Sequence, residues 1–249
     1  MKTLNYVLLL VAALTTTAYA QPKTATQGTI LFEKKINNYA ILKEIYANDP
    51  QAEANFENYK QKNPQFEVYP YKLSFKGNST LYQPQEDMEY KSPIGQSTSN
   101  NIVYTDYANG TFISQKKVFN KQYVLKDAVR SIKWKLTSET RDIAGYPCKR
   151  ANGVLMDSIY VVAFYSTDIL SSGGPELFNG LPGMILGLAI PDEHVTWFAT
   201  KITIGSVQIK ESEVPTTGVP YSLNEYKTFL NTLTRLGPVK KNVIKNALF

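Results

Sequence analysis

His194 is the only histidine of this chain and directly follows Asp192-Glu193. A histidine beside carboxylates is where an acid–base site often begins: the imidazole takes a proton from a serine or cysteine, and the carboxylate holds the ring in place. Here the rest of such a site is missing. No G-x-S-x-G turn occurs to expose a serine. Adjacent residues on an extended chain face opposite ways, so Asp192 and Glu193 are poorly placed to act together. Glu211 and Glu213, two apart, could share a face. A glycosidase would need such a pair about 5–10 Å apart across a cleft, and nothing around them builds one. No catalytic residue is assigned, and the chain is read as a non-enzyme.

Cys148, Met156, Met184 and His194 are the side chains that could hold a soft metal such as Cu(I), if the fold brought them together. One cysteine and one histidine cannot make a Cys/His zinc site, and H-E-x-x-H is absent. There is no P-loop and no G-x-G-x-x-G, so no nucleotide cofactor is supported, and neither metal nor cofactor is assigned. As the single cysteine, Cys148 has no intramolecular disulfide partner. The alternation around it reads as a strand carrying a small buried hydrophobe.

Those side chains must be positioned by strands. Gly28 to Tyr39 alternates, with Ile30, Phe32 and Lys34 on one face and Leu31 and Glu33 on the other. Gln65 to Phe75, Ser79 to Gln83, Asn101 to Tyr107 and Thr111 to Val118 follow, the last two flanking Asn109-Gly110, a strong hairpin signal. Gln122 to Leu125, Lys133 to Thr137, Pro147 to Asn152, Ser158 to Tyr165, Met184 to Ala189 and Val195 to Ile204 read as further strands, with Asp192 to His194 as a hairpin loop and polar Asp87 to Asn100 as a longer loop. Ile41 to Lys62 reads as one or two short helices, with Asp49 capping before Pro50. Ser222 to Leu236 reads as a helix: Ser222 and Glu225 form a capping box, Tyr226, Phe229, Leu230 and Leu233 line one face, and Gly237-Pro238 stops it. The pattern is mainly β (α+β), a single large curved antiparallel sheet or half-barrel with one or two covering helices. Rings on the strands, among them Tyr71, Phe75, Tyr82, Phe112 and Trp197, either pack the core or line an apolar concavity that a hydrophobic small molecule could enter.

The first twenty residues read as an export signal. Lys2 is their only charge, Val7 to Leu14 is apolar, and Ala18-Tyr19-Ala20 is an A-x-A site with the cut after Ala20. No later segment approaches the ~18 apolar residues of a membrane span, so no transmembrane segment is expected in the mature chain. The domains are therefore a signal peptide at 1–20, one β-rich domain at 21–238 and a basic tail at 239–249, in a periplasmic or secreted protein. The formal net charge of +6 is scattered, its tightest clusters being Lys116-Lys117 and Lys240-Lys241. That is no nucleic-acid footprint.

Between two of the strands lies Gly180-Leu181-Pro182-Gly183-Met184-Ile185, a rigid turn delivered into a buried strand. This motif, read with Leu73-Ser74-Phe75 through Ser79-Thr80-Leu81-Tyr82, Trp134 through Glu139-Thr140, Ile143 through Ala151 and Ala163-Phe164-Tyr165, resembles the GLPGLI family. Met184 stands where that family has leucine, and Phe164 where it has tryptophan. The resemblance implies an exported protein of a gram-negative bacterium, and by analogy a curved half-barrel like that of periplasmic lipoprotein carriers. It carries over no catalytic residue. The expected partner is an envelope protein or a hydrophobic small molecule. The alternatives are an assembly role through a free sheet edge and soft-metal handling.

Overall fold

The computed structural model describes residues 24–47, 52–86, 100–118, 121–155 and 158–233. The export segment, the Asp49 cap, most of the loop before Asn100, Met156, the end of the last helix and the basic tail lie outside the described residues. Twelve strands form one open sheet: β1 (Gln27–Asn37), β2 (Phe66–Lys76), β3 (Ser79–Pro84), β4 (Ile102–Asp106), β5 (Thr111–Val118), β6 (Lys121–Ala128), β7 (Lys133–Ile143), β8 (Tyr146–Leu155), β9 (Ile159–Ser166), β10 (Met184–Ile190), β11 (Val195–Ile204) and β12 (Val219–Tyr221). Their order is β12-β6-β5-β4-β3-β2-β1-β11-β10-β9-β8-β7. Each named pair is antiparallel except β12, which lies parallel to β6. Helices α1 (Asn38–Ile45) and α2 (Ala52–Lys62) fill the stretch read as one or two short helices, α3 (Leu223–Leu233) follows β12, and two 3-10 turns lie at Pro191–Glu193 and Glu211–Glu213.

Local chemistry accounts for the joints. Gly110 takes φ +64°, the left-handed geometry the β4–β5 turn needs, while Asp106 Oδ1 accepts from the backbone N–H groups of Ala108 (3.0 Å) and Asn109 (3.2 Å). Asn37 caps α1 by accepting from Ala40 N–H at 3.2 Å. The expected capping box of α3 is formed: Ser222 N–H donates to Glu225 Oε2 (2.7 Å), and Glu225 N–H donates to Ser222 Oγ (3.3 Å). The buried faces of α3 and β12 then close a ring cluster of Tyr123, Tyr221, Tyr226 and Phe229.

The sheet curls, and side chains on the two ends of one run of strands show it. β1 and β5 are four positions apart, about 19 Å along a sheet at ~4.8 Å per strand. Yet Lys34 of β1 and Lys116 of β5 reach the same carboxylate. Inside the curl lie Ile30, Phe32, Tyr71, Tyr82, Phe112 and Trp197, all buried. Residues 167–183, between β9 and β10, fold into this concave side as a plug, with Ile169, Leu177, Phe178 and Leu181 buried there. On the opposite face, residues 205–218 run as a strap from β11 to β12.

The glycine-proline motif forms the neck of the plug. Gly180 has φ +88° and Gly183 φ +152°, and Met184, the first residue of β10, pairs with Ser166, the last of β9. A Cβ on Gly183 would lie 2.1 Å from the Ser166 carbonyl oxygen. Leu181, Met184 and Ile185 are buried and Pro182 is exposed. β10 itself is an interior strand, between β9 and β11.

Candidate functional site

Two places combine polar side chains in a built setting. The first lies under the plug. Glu176, with no exposed side-chain surface, accepts from Lys34 Nζ (3.4 Å, Oε1) and lies 3.5 Å (Oε2) from Lys116 Nζ. Asn101 Nδ2 donates to the same carboxylate, 3.3 Å from Oε1 and 3.1 Å from Oε2. Lys34 also stands over the Trp197 ring, 5.0 Å from its centroid, and Phe178 of the plug packs on that ring. Tyr82 stacks on Tyr71 with centroids 4.5 Å apart. The indole of Trp197 approaches the Tyr82 hydroxyl, but neither atom closes a hydrogen bond of normal geometry.

Burial governs the charges of this knot. Desolvation lowers the Lys34 ammonium, partly offset by Glu176. It pushes Lys116 down to about 8, with Glu176 opposing and the neighbouring cations Lys34 and Arg130 adding to the depression. Desolvation likewise drives Tyr82 well above the usual tyrosine range and lowers Arg130 to about 10. Glu176 itself has φ +52°, a left-handed conformation that a non-glycine residue keeps only when its surroundings hold it. The plug is tied at its other side by Trp134, whose Nε1–H donates to the Asn179 carbonyl at 2.8 Å.

The second place is a cleft of about 750 Å³ between the strap and the outer face. Tyr104 and Ile113, paired across β4 and β5, give it an apolar floor. Ile209 and Val214 of the strap wall it, and Lys76, Lys210 and Glu211 stand at its rim. The strap is held to the sheet at Glu213, which accepts from Gln83 Nε2 at 3.2 Å. Hydrogen bonds, led by that from Lys210 N–H (3.0 Å), lower the Glu213 carboxyl below its usual range.

The residues singled out from sequence do not assemble. Glu211 faces the cleft while Glu213 is engaged with Gln83, so the two do not make a carboxylate pair. His194 ends the 3-10 turn Pro191–Glu193, and its Nε2 lies 2.8 Å from Glu44 Oε1 of α1. Met184 begins β10 and His194 follows its far end, roughly 20 Å away at ~3.4 Å per residue. Cys148, Met184 and His194 therefore do not converge, and Met156 is outside the described residues. Among the described residues no three His, Cys, Asp or Glu side chains are grouped to hold a metal.

Cys148 is buried on β8, and desolvation, reinforced by Asp142, pushes its thiol up to about 12. Alkylation needs the thiolate, so at pH 8 the folded protein is expected to react about three orders of magnitude more slowly than the unfolded chain. A thiol-reactive reagent with and without denaturant measures the ratio, and similar rates would show that Cys148 is accessible. Because the folded pKa is the higher one, this thiol's contribution to stability is full below about pH 8.5 and is lost as pH rises towards 12.

Sequence reasoning missed the buried knot. Its signal was present at two positions: Lys34 shares a face with Ile30 and Phe32, and Lys116 falls on the face of Phe112 and Val118. A lysine in phase with core residues marks a buried charge that needs a carboxylate somewhere.

Two solved structures of PNGF-II share this fold. The crystal form in space group P21 matches with a TM-score of 0.52 and 15% identity, covering 82% of this chain. The C2 form matches with a TM-score of 0.53 and 14% identity, covering 88%. The chain spans about a third of the length of these structures, 33% in both cases. The likeness is one of fold. No protein-family model matches the chain, and no curated protein matches it in sequence.

Proposed function

We propose that this chain is a non-enzymatic binding module of the cell envelope, an exported protein of the GLPGLI family, and that its ligand is an amphiphile with an apolar body and an anionic head. The observation that carries this reading is the cleft of about 750 Å³ beneath the strap, within the size range of small-molecule sites. Its apolar floor suits a hydrocarbon or ring body, and two lysines against one glutamate at the rim suit an anionic head. The concave face is a poorer place for a ligand, because the plug and the core rings fill it. The edge-pairing alternative is weakened by β7 itself. A bulge between Leu136 and Thr140 interrupts that edge strand, and Lys133 and Lys135 precede it, a pattern that keeps edges solitary. The likeness to one third of the PNGF-II chain fits a module that can be joined to further chain.

The test is titration with an anionic fluorescent amphiphile of the anilinonaphthalene sulfonate type. Saturable binding at one site is expected, weakened at least about tenfold by Lys76→Glu/Lys210→Glu, each charge reversal contributing on the order of 1 kcal/mol. Both lysines are exposed, so the fold should be unchanged. Absence of saturable binding, or equal affinity in the double variant, would remove the cleft as the site.

A further inference from the structure

The knot beneath the plug has the parts of a self-forming covalent cross-link, independent of the ligand reading above. Asn101 precedes β4, and the ladder that pairs Ile102 with Gln115 sets it opposite Lys116. Both side-chain nitrogens meet one oxygen, Glu176 Oε2, at 3.1 Å for Asn101 Nδ2 and 3.5 Å for Lys116 Nζ. The three side chains are buried. Core rings and the plug shield the setting from water, which would otherwise compete as a nucleophile. Glu176 is held there in a left-handed backbone conformation, so its placement is imposed by the fold.

We infer that Lys116 and Asn101 join through an intramolecular amide bond, with Glu176 as the proton relay. The Lys116 amine adds to Cγ of Asn101, a C–N bond forms, and the carbonyl π pair moves to Oδ1. The proton on Nζ passes to the Glu176 carboxylate and from there to Nδ2. The carbonyl re-forms, the Cγ–Nδ2 bond breaks, and ammonia leaves. Nothing is oxidised or reduced, and no co-reactant is required. Lys116 rather than Lys34 is the nucleophile. The β4–β5 ladder sets Asn101 opposite Lys116, which shares Glu176 Oε2 with Asn101 Nδ2, whereas Lys34 comes from β1 and meets Oε1. Asn101 Nδ2, the leaving nitrogen, already points at the carboxylate that must protonate it.

The experiment is mass spectrometry of the full chain expressed with its export segment and purified folded. The polypeptide should be lighter than the mass expected for the processed chain from Gln21 onward by about 17 Da, one ammonia, and proteolysis should yield a branched peptide joining Lys116 to Asn101. Cyclisation of a Gln21 amino terminus would release the same mass and is read separately in the amino-terminal peptide. Glu176→Gln and Lys116→Met should each restore the mass at the Asn101 peptide. Should either variant fail to fold, the wild-type peptide map still decides. Unmodified Asn101 and Lys116 peptides in the wild type would overturn the inference, and a branch at Lys34 would overturn the assignment to Lys116.

Discussion

Replacing Gly183 by valine is expected to prevent stable folding. The residue sits at φ +152°, where a β-branched side chain is strained whatever space surrounds it. The space is also absent: a Cβ would lie 2.1 Å from the Ser166 carbonyl oxygen and 2.7 Å from its carbonyl carbon. Both contacts are backbone, on the strand that pairs with the one Gly183 introduces, so no rotamer relieves them. Relief requires separating β9 from β10 at the neck of the plug. The loss should exceed about 4 kcal/mol, the range reached by backbone strain and core disruption combined. The adjacent control is Pro182→Ala, exposed and outside the pairing, which should cost little. Thermal unfolding of both variants is the measurement. A Gly183→Val protein with a near-normal melting temperature would show that the neck can open, and that the plug is not locked by it.

The second large effect is at Glu176. Removing its carboxylate in Glu176→Ala takes the counter-charge from Lys34 and, by removing the proton relay of the inferred cross-link, leaves the Lys116 amine uncoupled as well, both 2% exposed or less inside the core. Breaking a buried pair by deleting one partner costs about 3–5 kcal/mol, because the remaining charge stays desolvated. Replacing the whole set by apolar residues of similar size is often neutral. The triple variant Lys34→Met/Lys116→Met/Glu176→Leu, which lacks the cross-link just as Glu176→Ala does, should therefore be clearly more stable than Glu176→Ala, despite having more substitutions. Denaturant midpoints for wild type, single and triple variants decide it. A triple variant as unstable as the single one would mean that the shape of the plug, and not the charge set, holds it in place.

These two sites differ in how far they could be read beforehand. The neck was legible because its determinants are local. Glycines around a proline before an apolar run signal a turn into a buried strand, and β10 begins at Met184 as that pattern predicts. The Asn109-Gly110 hairpin and the α3 capping box were legible for the same reason, and β11 spans Val195–Ile204 as its alternation predicts. β7 runs six residues past its expected end, because its polar, exposed stretch 138–142 is held by pairing with β8 and not by burial of an apolar face, and β8 extends to Leu155 through its pairing with β9. β12 was missed: three residues held parallel to β6 carry no periodicity of their own. The knot depends on contacts 75 and 142 residues apart, Asn101 and Lys34 with Glu176, which no local pattern encodes. The cleft was invisible for a related reason, since its wall is a strap whose one regular element is the short 3-10 turn Glu211–Glu213, laid across strands distant in sequence. His194 attracted attention through its type, yet the fold engages it with Glu44 of α1 at a strand end.

A ligand held under the strap, with the concave side closed by the plug, would travel with the protein through purification. Native mass spectrometry of the protein purified from the envelope of the cells that make it would detect such a complex. The expected result is a species heavier than the polypeptide by the mass of one amphiphile, present in the wild type and absent from Lys76→Glu/Lys210→Glu prepared in the same way. The bare polypeptide mass in every wild-type preparation, or a bound mass that survives the double substitution, would contradict it.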